Sequence, residues 1–122
     1  MIPVSILVPI YGESIETINR LLSSIQAQIN IRYRQVRIVC LVNNGPIGKV
    51  DQNTYLHNQQ ALRYLKSLEL ENLFLIDRSS NGHEIPRCNI GRARQLLVEH
   101  EFSYYSSLNT NGILLNVDAD SF

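Results

Sequence analysis

Short apolar runs alternate with stretches of helical periodicity along this 122-residue chain, and that alternation limits the fold more than any single motif. Val4-Ser5-Ile6-Leu7-Val8 is ended by Pro9 and Gly12, and Val36 to Val42 by Asn43-Asn44-Gly45. Leu73-Phe74-Leu75-Ile76 and Ile113 to Val117 are two further runs. Runs of this length with little polar alternation predict strands buried on both faces. Between the first two, Ile15, Ile18, Leu21, Leu22, Ile25 and Ile29 recur at helical spacing behind Ser14, a predicted N-cap. Leu56, Leu62, Leu65 and Leu68 mark a second helix, and a third runs from its cap at Asn89 to about Glu101. The polar stretch Tyr104 to Asn111 reads as a surface loop.

Strands joined by helical crossovers predict an α/β fold, a three-layer sandwich around a mainly parallel, Rossmann-like sheet. Such sheets bind ligands beyond the carboxyl ends of the strands, where strand order reverses. Pro9-Ile10-Tyr11-Gly12-Glu13, Asn43-Asn44-Gly45 and Asp118-Ala119-Asp120 all follow strand ends, so they are expected along one edge.

The length suits one domain, burying roughly two thirds of the surface its unfolded chain exposes. Eleven basic and eleven acidic residues cancel, so no overall charge draws the chain to nucleic acid or an anionic membrane. No apolar stretch approaches the roughly 20 residues of a transmembrane segment, and no basic leader precedes an apolar core. The expected setting is soluble and cytoplasmic. Cys40 in a strand and Cys88 in a loop form no pairing or metal motif, which suits free thiols in a reducing compartment.

Several signatures are excluded. No G-x-G-x-x-G follows the first strand, and Gly48-Lys49 fails as a phosphate loop because Val50 replaces the hydroxyl and Asn43 the first glycine. His57, His83 and His100 lack metal spacing, and no serine sits in a nucleophile elbow. The first strand also lacks the acidic pair of a receiver domain and the phosphate-binding turn of a flavodoxin-like one.

Asp118 and Asp120 carry the clearest chemical signal. If the strand continues through them, both side chains leave one face about 6 to 7 Å apart. Carboxylates held that close call for a cation, and a hard divalent ion carrying phosphate oxygens fits. Solvated turn residues capping a strand are the other reading, of equal weight on these residues alone. In Asn89-Ile90-Gly91-Arg92-Ala93-Arg94-Gln95, a helix start brings two arginines towards the acids, as phosphate binding uses. Two solvated arginines on an exposed helix face are the alternative.

These four blocks, in this order over nearly the whole chain, resemble the N-terminal half of a family 2 glycosyltransferase with the GT-A fold. The resemblance implies a nucleotide-sugar-binding donor half spanning residues 1–122, apparently truncated after the DxD motif Asp118-Ala119-Asp120. It implies that Pro9, Tyr11 and Glu13 line the nucleotide pocket, with Glu13 near the ribose or base. Asn43 and Asn44 would face the base; the family commonly has an acid at the place of Asn43, where an amide offers both donor and acceptor. Arg94 would lie near the diphosphate of a UDP-, GDP- or dTDP-linked sugar, Asp118 would hold the nucleoside side, and Asp120 would ligate Mn²⁺ or Mg²⁺. The general base for inverting transfer is expected beyond Phe122, so transfer by these residues alone is not expected. An end at Phe122 would bare a sheet edge or apolar patch, which favours self-association. A non-catalytic α/β binding or interaction module is the alternative reading.

Overall fold

The computed structural model describes residues 2–28 and 36–120. Ile29, assigned above to the first helical stripe, and Ser121 and Phe122 lie outside the described residues. The elements run β1 Val4–Ile10, α1 Ile15–Gln28, β2 Val36–Asn43, α2 Gln52–Ser67, β3 Leu73–Arg78, α3 Ile90–Ser107 and β4 Ile113–Asn116. Every strand pair is parallel and the sheet order is β3-β2-β1-β4, giving the α/β sandwich that the alternation predicts.

The chain steps outward from β1 to β2 to β3 and then crosses back, so strand order reverses between β1 and β4. α1 and α2 cover one face, where Ile18, Leu21, Leu22, Ala61, Leu62 and Leu65 meet Val8, Ile10, Ile38, Cys40 and Val42. On the other face Ala93 and Leu97 of α3 meet Leu7, Val39 and Leu41. Successive strand residues point to opposite faces, so each strand feeds both cores. Each fully buried aliphatic side chain contributes on the order of 2 kcal/mol.

The caps lie where the sequence places them. Ser14 Oγ accepts from Thr17 N at 3.2 Å and Asn89 Oδ1 from Arg92 N at 2.8 Å. Asp51, which the sequence reading passed over, caps α2 by accepting from Thr54 N at 3.2 Å. Free N–H groups at a helix start need such acceptors.

Two expectations are corrected. Leu56 is 47% exposed, because the buried stripe of α2 is Asn58, Ala61, Leu62 and Leu65, and Leu56 is out of phase with it. The supposed loop from Tyr104 is helical to Ser107. Tyr105 lies one turn after buried Glu101, and its hydroxyl meets Ser5 Oγ at 2.6 Å. Its ring packs so closely on Gly112 that an added Cβ there would lie 2.5 Å from it. A tyrosine can bury its body while its tip stays hydrogen-bonded, and this carries a polar-looking segment into the core.

Near the amino ends of the strands sits a buried ion pair. Glu101, fully buried, accepts from Arg37 Nε at 2.7 Å, Arg37 Nη2 at 3.2 Å and Ser5 Oγ at 2.6 Å. The Arg37 guanidinium is stacked between Phe74 and Tyr104, 3.9 and 3.6 Å from the ring centroids.

This pair makes stability pH-dependent. Burial favours a raised Glu101 pKa, but hydrogen bonds from Arg37, Ser5 and His100, with the Arg37 charge, outweigh it and hold the carboxyl below its ordinary 4.5. The unfolded carboxyl therefore takes up its proton first. The Glu101 contribution is complete above pH 4.5 and is lost as pH falls through the folded-state value. Urea denaturation at stepped pH should show that decline, and Glu101→Gln should flatten it. At pH 7 that variant should lose about 3 kcal/mol, because Arg37 is left without its counter-charge.

Candidate functional site

The loops beyond the carboxyl ends of the strands are built on buried amides. Asn58 of α2, fully buried, donates from Nδ2 to Asn43 O at 2.8 Å and Asn44 Oδ1 at 3.0 Å. Its Oδ1 accepts from Gly12 N at 2.8 Å, so one side chain ties the loop after β1 to the loop after β2. Asn44 also bonds Ser79 through its hydroxyl and carbonyl, which adds the loop after β3. Asn43 Nδ2 donates to Ile10 O at 2.9 Å while its Oδ1 accepts from Cys88 Sγ at 2.9 Å. Gly12 is required where it stands: its φ is +67°, and an added Cβ would press on Thr54 at 3.2 Å.

These pins define a crevice of about 250 Å³ at the reversal of strand order. Pro9, Tyr11 and Glu13 enter it from the end of β1 and its loop, Ile90 and Arg94 from α3, and Asp118 and Asp120 from the segment after β4. A second pocket of about 260 Å³ shares Tyr11, Glu13 and Ile90 and adds Asn43, Cys88 and Asn89. Tyr11 is half exposed where the two meet.

The two acids reach the crevice by a route other than strand alternation. β4 ends at Asn116, although Val117 N still donates to Leu7 O at 3.0 Å, and Ala119 and Asp120 form a turn. Ala119 is 3% exposed and packs into the α1/α2 core, while Asp118 and Asp120 on either side of it are exposed. An anchored small residue thus presents both carboxylates.

Their charges are handled differently. Arg94 Nη2 donates to Asp118 Oδ1 at 2.6 Å, a half-exposed pair worth at most about 1 kcal/mol. Arg94 Nε is shielded from solvent and has no hydrogen-bond partner among the described residues. Burial, and after it the charge of Asp120, push the Glu13 carboxyl above its ordinary value. Among the described residues no three His, Cys, Asp or Glu side chains form a ready-made metal cage.

Of the residues singled out in the sequence, Pro9, Tyr11, Glu13, Arg94, Asp118 and Asp120 therefore line one crevice, and Asn43 lines its neighbour. Asn44 is fully buried and spends its amide inside the protein. Asn58, Cys88 and Ile90 were not foreseen as site residues. The buried stripe of α2 with an asparagine in it was the available signal for Asn58. No protein-family model matches the chain, and no curated protein matches it.

Asn58→Leu should cost about 2 to 3 kcal/mol in chemical denaturation, since Gly12 N–H and Asn43 C=O lose their shared partner. Hydrogen exchange at Gly12 should accelerate in the same variant.

Proposed function

We propose that the chain is the donor-binding half of a family 2, GT-A-type glycosyltransferase domain. It binds a nucleoside-diphosphate sugar through a divalent cation, and a C-terminal half supplies the general base for inverting transfer. The supporting observation is that Pro9 to Glu13, Arg94 and the Asp118–Asp120 turn converge on one crevice where the strand order reverses.

In this reading Tyr11 offers its exposed ring at the junction of the crevices, where a base or ribose can lie against it. Glu13 is a hydrogen-bond acceptor for ribose or base. Arg94, already pointing one nitrogen at Asp118, has a shielded Nε that can donate to a phosphate oxygen. The donor set also fits a hard cation: Mg²⁺ or Mn²⁺ commonly takes one or two carboxylates and completes its shell with phosphate oxygens and water. Asp120 holds it, with Glu13 near enough for their charges to interact. When bound, the cation supplies Lewis-acid stabilisation of the departing nucleoside diphosphate. Two free thiols suit a reducing, cytoplasmic setting.

One observation favours the second reading, a non-catalytic α/β module: the Asn43 and Asn44 amides are engaged within the protein. Calorimetry with UDP and GDP, with and without Mn²⁺, separates the two. Metal-dependent heat with at least one nucleotide is expected, and no heat with either overturns the donor-site reading. Asp120→Ala, an exposed substitution, should weaken metal-dependent binding at least tenfold, about 1.4 kcal/mol. Unchanged binding points to the module.

A further inference from the structure

Asparagine precedes glycine three times in the chain, at Asn44-Gly45, Asn81-Gly82 and Asn111-Gly112. The pair carries latent chemistry, because a glycine nitrogen with no Cβ beside it can attack the asparagine amide carbon and close a succinimide ring. In a folded chain the reaction needs freedom at both partners: the amide must swing, and the main chain must turn to bring the nitrogen onto it. The fold treats the three pairs differently.

At Asn44-Gly45 both partners are held. Asn44 is fully buried, with Nδ2 donating to Gly45 O at 2.8 Å and Ser79 O at 3.3 Å and Oδ1 accepting from Asn58 at 3.0 Å. A Cβ added at Gly45 would meet Cys88 Cβ at 3.7 Å and Ile85 O at 3.9 Å. At Asn111-Gly112 the side chain is exposed but the main chain is clamped. Thr110 N donates to Tyr105 O at 3.1 Å and Ile113 N to Pro3 O at 2.9 Å, with the Tyr105 ring against Gly112.

Asn81-Gly82 is free on both counts. The two residues are the exposed centre of a turn that His83 N closes on Ser80 O at 2.8 Å. Gly82 has φ +88°, and nothing lies within 4 Å of where its Cβ would be. Opening such a turn breaks one exposed hydrogen bond, which costs little. The proton that must leave the attacking nitrogen already has an acceptor, since Gly82 N donates to Glu84 Oε1 at 3.0 Å.

We infer that Asn81 is a site of spontaneous deamidation, with Glu84 as the general base. Gly82 N bonds to Asn81 Cγ as its proton passes to Glu84; the Cγ–Nδ2 bond then breaks, and the amide nitrogen takes up that proton and leaves as ammonia. Water opens the succinimide. Addition at Cγ gives aspartate, and addition at the main-chain carbonyl gives isoaspartate, whose main chain is one carbon longer. That carbon falls in the segment between β3 and Ile85, whose N–H bonds Asn44 O at 3.0 Å, so the isoaspartyl form strains a tie between loops of the site. The turn follows β3, at the edge of the sheet opposite β4, and neither the ligand of the crevice nor the chain after β4 bears on it.

Peptide mapping by mass spectrometry, on the folded chain held in mildly alkaline buffer, tests the site. The Asn81 peptide should exchange its amide for an acid at least tenfold faster than the peptides holding Asn44 or Asn111, with isoaspartate as the main product. In guanidinium chloride the three should convert at comparable rates, since the same dipeptide is then equally free. Glu84→Gln should melt as the wild type does and slow the Asn81 conversion severalfold in the folded chain but not in the unfolded one. Equal rates at the three pairs in the folded chain overturn the site, as does a folded Asn81 that stays intact while the unfolded one converts. A Glu84→Gln rate at or above that of the wild type overturns the role of the base.

Discussion

The loops after β1, β2 and β3 depend on how buried backbone groups are satisfied beyond the strand ends. A parallel strand leaves its last N–H and C=O groups without ladder partners, and burial makes an unpaired one costly. Asn58 answers for two loops at once, through Gly12 N–H and Asn43 C=O. Asn43 and Asn44 then extend the same network to Ile10, Cys88 and Ser79. Such a network, fully satisfied, fixes geometry more than it adds net stability. Its consequence here is positional: Tyr11 and Glu13 follow a pinned Ile10 and flank a pinned Gly12, so their wall of the crevice is set before any ligand arrives.

Opposite ends of the sheet therefore use polar burial for different ends. At the carboxyl ends the fully buried groups are neutral amides, while the charged residues around the crevice are exposed, as Asp118 and Asp120 are, or only partly buried, as Glu13 and Arg94 are. At the amino ends the charge itself is buried, with Glu101 enclosed by Arg37, Ser5 and His100. A pair of that kind is a poor source of net stability relative to an apolar replacement but a strong penalty when halved. It also locks α3 to β1 and β2 in one register, since Ser5 and Arg37 come from those strands. Because α3 also carries Arg94, the amino-end ion pair orients the helix that reaches the crevice.

The sequence made the strands legible because their apolar runs end in Pro, Gly and Asn, and two helix starts legible because Ser14 and Asn89 are caps of ordinary kind. It misled wherever a polar residue occupies a core position. Asn58 hides the stripe of α2, so the apolar spacing alone places Leu56 among its marking residues, and Tyr105 hides the last turns of α3. Site residues were legible as a set because parallel topology sends every strand end to one edge, whatever the details of the sheet. What the chain could not announce is which polar side chains are already committed internally. Asn43 and Asn44 read as ligand-facing amides in one dimension; in three both are also loop ties, and Asn43 still lines a pocket.

That distinction bears on how the crevice can handle charge. Asp118 has a protein counter-charge in Arg94, whereas Asp120 faces Glu13, a second acid with no basic partner among the described residues. The crevice is thus divided into a compensated side and an uncompensated one. Burial, and after it the charge of Asp120, raise the Glu13 pKa, and neighbouring carboxylates favour a proton or a cation near them. Under the proposed reading a divalent ion would compete with protonation there, so its binding should strengthen as pH rises. Under the proposed donor-site reading, a diphosphate in the crevice would have the Arg94 guanidinium on one side and a cation on the other. The same charge division disfavours a bare anion on the acidic side, so in the proposed reading a nucleotide would bind there only together with a cation.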